Sequence, residues 1–243
     1  MDDVIVVTGM VTGTITVGEY DKRITLLTRE LGKIQVFARG AKKPNSQFAA
    51  IANPFVFGSF YLHSGRSAYN LQNATISNYF EDMREDLDAI YYGSYFLELA
   101  NYYGRENVDA SKQLNLIYLS LYALMNRNFS NKLVRAIYEL KTLVINGEYP
   151  EVFSCVSCGK ETDLTYFSSA KGGVLCNECG PAGGSILLAD SCLYTMQYII
   201  STPIKELYSF EVSDNVLHNL EMILKDYFKF CIDRNFKSLA FLD

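Results

Sequence analysis

The chain has 243 residues, 49% of them hydrophobic, enough for a substantial core and for two or three small domains rather than one. Mean hydropathy is +0.03, and no apolar run approaches the roughly 18–20 residues of a membrane-spanning helix. With 22 basic and 27 acidic side chains the net charge is −5, which excludes a uniformly basic nucleic-acid coat but not a local basic face. The opening Met-Asp-Asp-Val lacks the basic start of a secretory signal. Six cysteines, four of them in two tight pairs, do not form a secreted disulfide framework, so a cytoplasmic protein is expected.

From residue 4 to about residue 80 the chain is rich in β-branched and aromatic residues broken by glycine. The runs are Val4–Val7, Met10–Val17, Ile24–Thr28, Ile34–Ala38, Phe55–Leu62 and Tyr69–Ile76. Gly32, Gly40, Gly58, Gly65 and the Lys43–Ser46 stretch punctuate them as turns. Five short strands predict a small antiparallel barrel, of OB type or SH3-like, with the long first run bent at Gly9 or Gly13. Residues 1–80 hold eight basic side chains (Lys22, Arg23, Arg29, Lys33, Arg39, Lys42, Lys43 and Arg66) against five acids, net +3; residues 81–243 are net −8. That asymmetry fits a polyanion-binding module joined to something else, and equally a β-surface that its cations merely solvate.

Beyond residue 80 the period becomes helical. Residues 81–103 predict a helix with Leu87, Tyr91, Tyr95 (or Phe96), Leu99 and Tyr102 on its buried face. Residues 111–126 are apolar nearly all round and predict a buried helix. Residues 131–146 set Leu133, Ile137, Leu140 and Val144 against Lys132, Arg135 and Glu139 on another face, and end at Gly147 and Pro150. Helices are also expected over 190–201, closed by Pro203, and over about 214–234. Cys192 and Cys231 lie on these helices without a partner pattern and read as small buried hydrophobes.

The sharpest chemical signal is Cys155-Val-Ser-Cys158 and Cys176-Asn-Glu-Cys179, two C-x2-C pairs separated by 17 residues. This spacing suits a four-cysteine zinc site with a short hairpin, Leu164–Phe167 and Gly172–Leu175, between the pairs. Gly159 and Gly180 follow the pairs and are expected to supply the left-handed residue that closes each turn. Two redox pairs or plain buried thiols are the weaker alternatives. Four thiolates leave no open coordination position, so one structural zinc is expected. No phosphate-binding loop, dinucleotide fingerprint, zinc-protease motif or nucleophile elbow occurs. His63 and His218 lie in no catalytic context, so the chain is read as a non-enzyme without catalytic residues.

Two segments carry a more specific signal: Gly18-Glu-Tyr-Asp-Lys-Arg-Ile-Thr-Leu-Leu-Thr28, and Leu31-Gly-Lys-Ile-Gln-Val-Phe-Ala-Arg-Gly-Ala-Lys-Lys-Pro-Asn-Ser46. Together they closely resemble the amino-terminal domain of the RecO family of bacterial recombination mediators. The order of parts, a basic β-domain and then a helical domain with a four-cysteine insertion, is similar as well. The resemblance covers the whole chain, with its specificity in residues 18–46 and 155–179. It implies an α+β protein: an OB-fold DNA-binding domain over 1–80, then a helical domain over 81–243 with a zinc-binding insertion at 153–185. It implies binding of single- and double-stranded DNA, annealing of complementary strands, and action with RecR to load RecA onto DNA coated by single-strand-binding protein. DNA contact is thereby expected of Lys22, Arg23, Arg39, Lys42 and Lys43. Lys33 is a weaker expectation, since alternation only turns it outward. The anionic, apolar-ended tail of single-strand-binding protein is expected to dock on the helical domain, with Lys132 and Arg135 as candidate cations. A nucleoid-associated cytoplasmic location follows. An OB-fold RNA binder and a zinc-ribbon protein adaptor are the two alternative readings.

Overall fold

The structure, a computed structural model, describes residues 4–65, 68–126, 129–181 and 184–242; Arg66, counted above among the basic side chains, lies outside them. Five strands close a barrel: β1 (Val4–Val17), β2 (Asp21–Thr28), β3 (Gly32–Ala38), β4 (Phe57–His63) and β5 (Tyr69–Asn78). Their order around the barrel is β1-β2-β3-β5-β4, with β3 and β5 parallel and the other neighbours antiparallel. This is the Greek-key order of an OB-type barrel, and closure leaves no free sheet edge.

The long first run serves two neighbours. Its first half, from Val4 to Met10, pairs with β4, and its second half, from Gly9 to Val17, pairs with β2, with the register slipping between Val11 and Gly13. Gly9 stands where both pairings meet. A Cβ there would lie 2.6 Å from the Leu27 carbonyl oxygen, so only glycine lets the strands approach. Alternation on β3 points Ile34, Val36 and Ala38 inward, where they join Val7, Val11, Ile24, Leu26, Phe60, Leu62 and Leu71 in one core. Each such aliphatic or aromatic side chain stabilises the fold by about 1.5–3 kcal/mol relative to exposure. The segment after β3 folds back on the barrel, sending Ala41, Ile51, Ala52 and Val56 into the same core.

The compositional break near residue 80 coincides with the end of β5. The compact unit that holds the barrel continues, through the helices α1 (Leu87–Tyr103) and most of α2 (Ser111–Met125), and also takes in residues 236–242. The helix expected from residue 81 starts later. Residues Glu81–Glu85 form a 3-10 turn, and the Asp86 carboxylate accepts from the Ala89 N–H as the N-cap of α1. The buried face is also broader than expected: Leu87 is 67% exposed and Tyr91 and Tyr102 are half-buried, while Ala89, Tyr92, Leu97 and Tyr103 are buried along with the expected Tyr95, Phe96 and Leu99. The carboxyl-terminal segment packs on the expected side of α1, with Phe236 edge-on against Tyr95 and Tyr102 and Phe241 stacked on Tyr91. α2 is buried over most of its surface, as its apolar circumference implies, with Lys112, Asn115 and Tyr122 exposed.

The second unit, residues 122–235, contains α3 (Asn131–Asn146), a sheet of β6 (Leu164–Ser168), β7 (Gly173–Cys176) and β8 (Ile186–Leu187), α4 (Asp190–Ser201) and α5 (Asp214–Cys231). α3 ends on Gly147 at φ 74°, with the Glu148 N–H reaching back to the Leu143 carbonyl. Glu139, expected on its polar face, is buried and paired with Arg135 at 2.9 Å. Lys141 is buried too. Its ammonium donates to the carbonyl oxygens of Ile199, Ile200 and Thr202, which are orphaned where α4 ends. Cys192 is fully buried as expected; Cys231, the last residue of α5, which stops short of residue 234, is only half-buried. Among the described residues no helix is long and apolar enough to cross a membrane.

Candidate metal centre and nucleic-acid interface

Two short turns bring the cysteines together. In the first, the Gly159 N–H donates to the Cys155 carbonyl and the Cys155 N–H to the Lys160 carbonyl. In the second, the N–H groups of Cys179 and Gly180 donate to the Cys176 carbonyl. The β6–β7 hairpin joins the turns, pairing Leu164 with Cys176. The four Sγ atoms lie within 4.8 Å of one another, and those of Cys158 and Cys176 are 3.7 Å apart. A tetrahedral ion with metal–sulfur bonds of about 2.3 Å requires sulfur–sulfur edges of about 3.8 Å, so the group can hold a metal ion.

Electrostatics point the same way. Burial pushes the Cys155 thiol up, but backbone N–H groups of Cys176, Ser157 and Cys158 outweigh it and bring it down to about 6. The neighbouring thiols of Cys176 and Cys158 push Cys179 up to about 12. A divalent ion held among these sulfurs would favour their thiolate forms. Lys160 straddles the two turns, 2.9 Å from Asp163 and 3.5 Å from Glu178. Ser169 donates to the Asp226 carboxylate on α5 at 2.7 Å, and Phe167 meets Tyr227 edge-on, fixing the ribbon to that helix.

The two glycines act differently from each other. Gly159 has φ +78° and is the expected left-handed residue. Gly180 does not adopt a positive φ; its role is space, since a Cβ would fall 2.1 Å from the Tyr166 ring.

On the barrel, the turn between β1 and β2 is fastened to the segment after β3. The Gly40 N–H donates to the Asp21 carboxylate at 2.7 Å, and the Lys42 N–H to the Tyr20 carbonyl at 2.8 Å. The Lys43 ammonium stands 5.8 Å from the centroid of the Tyr20 ring. Arg23, Arg39, Lys42 and Lys43 are all exposed. Lys22 differs from them: it shares inward parity with Ile24 and Leu26, is half-buried, and donates to the Ala52 carbonyl and the Asn53 side-chain oxygen. Desolvation, then the nearby Lys42 charge, lowers its pKa, so these two cations are close neighbours. Lys33 has different surroundings. It points away from the core, as alternation requires, but its ammonium donates to the Asn101 carbonyl at 2.7 Å, near the end of α1.

Both parts of the chain match known protein families. The model of the family described as Recombination protein O N terminal matches residues 1–80, and that described as Recombination protein O C terminal matches residues 84–240. The chain belongs to the RecO family of DNA repair proteins. The DNA repair protein RecO of Acetivibrio thermocellus is 31% identical over 236 residues, covering 96% of this chain and 94% of its own. That of an Exiguobacterium strain is 32% identical over 237 residues, covering 98% and 94%. The Bacillus subtilis RecO is 36% identical over 171 residues, covering 70% and 67%.

In this RecO chain the helical-domain candidates have different surroundings. Lys132 is exposed on the first turn of α3, whereas Arg135 is half-buried and held by Glu139. Two aromatic side chains that sequence reasoning did not single out lie near the barrel cations: Tyr20, 44% exposed beside the lysine loop, and Phe37, half-buried on the outside of β3. The signal was present. Phe37 alternates with the inward Val36 and Ala38, and Tyr20 occupies a turn next to Gly18.

Proposed function

We propose that this RecO protein binds single- and double-stranded DNA on its barrel and anneals complementary strands, a non-enzymatic activity that needs no nucleotide. The observation that carries this reading is the exposure of Arg23, Arg39, Lys42 and Lys43 around one corner of an OB-type barrel. Strand faces and the β1–β2 loop are the surfaces with which such barrels hold oligonucleotides. Neutralising phosphates on two strands lowers their mutual repulsion and raises the frequency of productive encounters. Lys22 has a positioning part, fastening the segment around Ala52 and Asn53 while adding its charge to that of Lys42.

Residues 1–80 are the DNA-binding module and residues 81–243 the part that meets other proteins. We assign one structural zinc to Cys155, Cys158, Cys176 and Cys179, since a mononuclear all-thiolate tetrahedron selects zinc over harder divalent ions. The resemblance to recombination mediators supports a cytoplasmic, nucleoid-associated role in which the protein works with RecR to load RecA onto DNA coated by single-strand-binding protein. The proposed contact for the anionic tail of that coat protein is Lys132, because Glu139 already neutralises Arg135. The reading is tested by annealing of complementary oligonucleotides, bare and then precoated with single-strand-binding protein. Acceleration on both templates without ATP is expected; no acceleration on either would refute it.

A further inference from the structure

Half of the barrel face carried by β1, β2 and β3 is covered and half is open. At the covered end the Thr12 hydroxyl donates to the Asn101 side-chain oxygen at 2.7 Å, and the Asn101 amide donates back to the Thr12 carbonyl. Lys33 closes the same end against Asn101. At the open end, strand register sets Ile15, Arg23 and Phe37 side by side across the three strands. Ile15 is 50% exposed, Arg23 is exposed, and Phe37 is half-buried. Tyr20 stands beyond this row in the turn, about 7–10 Å further along at roughly 3.3 Å per residue. Its hydroxyl is engaged by Glu19, and the Lys43 ammonium lies 5.8 Å from the centre of its ring.

Phe37 faces outward and is not among the residues of the barrel core, which Val36 and Ala38 serve from the same strand. Cations alone would account for phosphate binding but not for these rings. Bases offer a π-face whatever their sequence, and rings spaced along a basic path are how single strands are held without sequence preference.

We propose that this face holds a single strand by its bases, stacked on Phe37 and Tyr20, while Arg23 and Lys43 meet the flanking phosphates. The proposal rests on the DNA-binding reading above and adds a base contact to it. A duplex, whose base faces are occupied by its own stacking, meets only the cations. Single strands are therefore held more tightly than duplex until they pair, and pairing weakens the grip on the product.

The test uses the full-length protein, fluorescence anisotropy, and three labelled probes of equal length: oligothymidylate, the same backbone with abasic sites, and a duplex. The wild type is expected to bind oligothymidylate about 5- to 150-fold more tightly per stacked ring than the abasic strand. Tyr20→Leu with Phe37→Leu should bring oligothymidylate affinity down to the abasic level, leaving abasic binding, duplex binding and the salt slope unchanged. Should the double variant fail to fold, Tyr20→Leu alone, in the exposed turn, is expected to lose at least about fivefold on oligothymidylate only. Equal wild-type affinity for thymidylate and abasic strands overturns the stacking proposal while leaving phosphate binding intact. So does a variant that keeps the preference. Failure to bind any of the three probes at low salt refutes the DNA-binding reading itself.

Discussion

Replacing Lys42 and Lys43 by alanine separates a phosphate contact from a solvated turn. Both side chains are exposed in the segment after β3, and the backbone there is held without them, by Gly40 to Asp21 and by the Lys42 N–H to the Tyr20 carbonyl. The double variant should therefore keep its melting behaviour, with a stability change within about 0.5 kcal/mol. Each phosphate contact on a single strand adds roughly 0.7 to the slope of log affinity against log salt. Losing two contacts flattens that slope by about 1.4, so between 50 and 200 mM salt the wild type should lose about sevenfold more affinity than the variant. Anisotropy across a salt series, with a melt on the same samples, reads both quantities. An unchanged slope with wild-type affinity would refute the assignment of these lysines and move it to Arg23 and Arg39.

Three other outcomes are expected. Elemental analysis of reduced protein should give about one zinc per chain; chelation, or Cys176→Ser, should lower thermal stability sharply, because binding such an ion is coupled to folding. Lys141→Met should destabilise the helical unit by at least about 3 kcal/mol, since three buried carbonyls lose a charged donor, whereas Lys132→Ala should change stability by less than about 0.5 kcal/mol in denaturant melts. Gly180→Ala should weaken the metal ribbon by about 1–3 kcal/mol through its clash with Tyr166, and Tyr166→Ala in the same chain should recover part of that loss. Equal stability of Gly180→Ala and wild type would remove the spatial role assigned to this glycine.

The barrel was legible because its strands are local alternations, although Gly58, expected as a turn, lies inside β4 paired with Gly9 and Ile76; the metal site was legible because its ligands repeat a short spacing that a turn converts directly into convergence. Contacts between distant segments were not legible. Periodicity within residues 81–103 found Tyr91, Tyr95 and Tyr102, but not Phe236 and Phe241, more than 130 residues away, which pack on them. Lys141 reads as one more polar position on an amphipathic helix, and only the end of α4 reveals why a cation is buried there. Lys33 and Lys22 show the same limit: alternation gives the side a lysine faces, but not the carbonyl already waiting on that side. Gly180 was read for its conformational freedom, whereas the Tyr166 ring across the hairpin demands its missing side chain.

The central claim is that the barrel's exposed cations bring DNA strands together. Its most direct test is the annealing rate of complementary oligonucleotides at about 50 mM salt, comparing the wild type with a variant carrying Arg23→Ala, Arg39→Ala, Lys42→Ala and Lys43→Ala. The account predicts that the variant melts as the wild type does, retains its metal, and anneals no faster than the strands do alone. A folded, metal-loaded variant that anneals at the wild-type rate would contradict it.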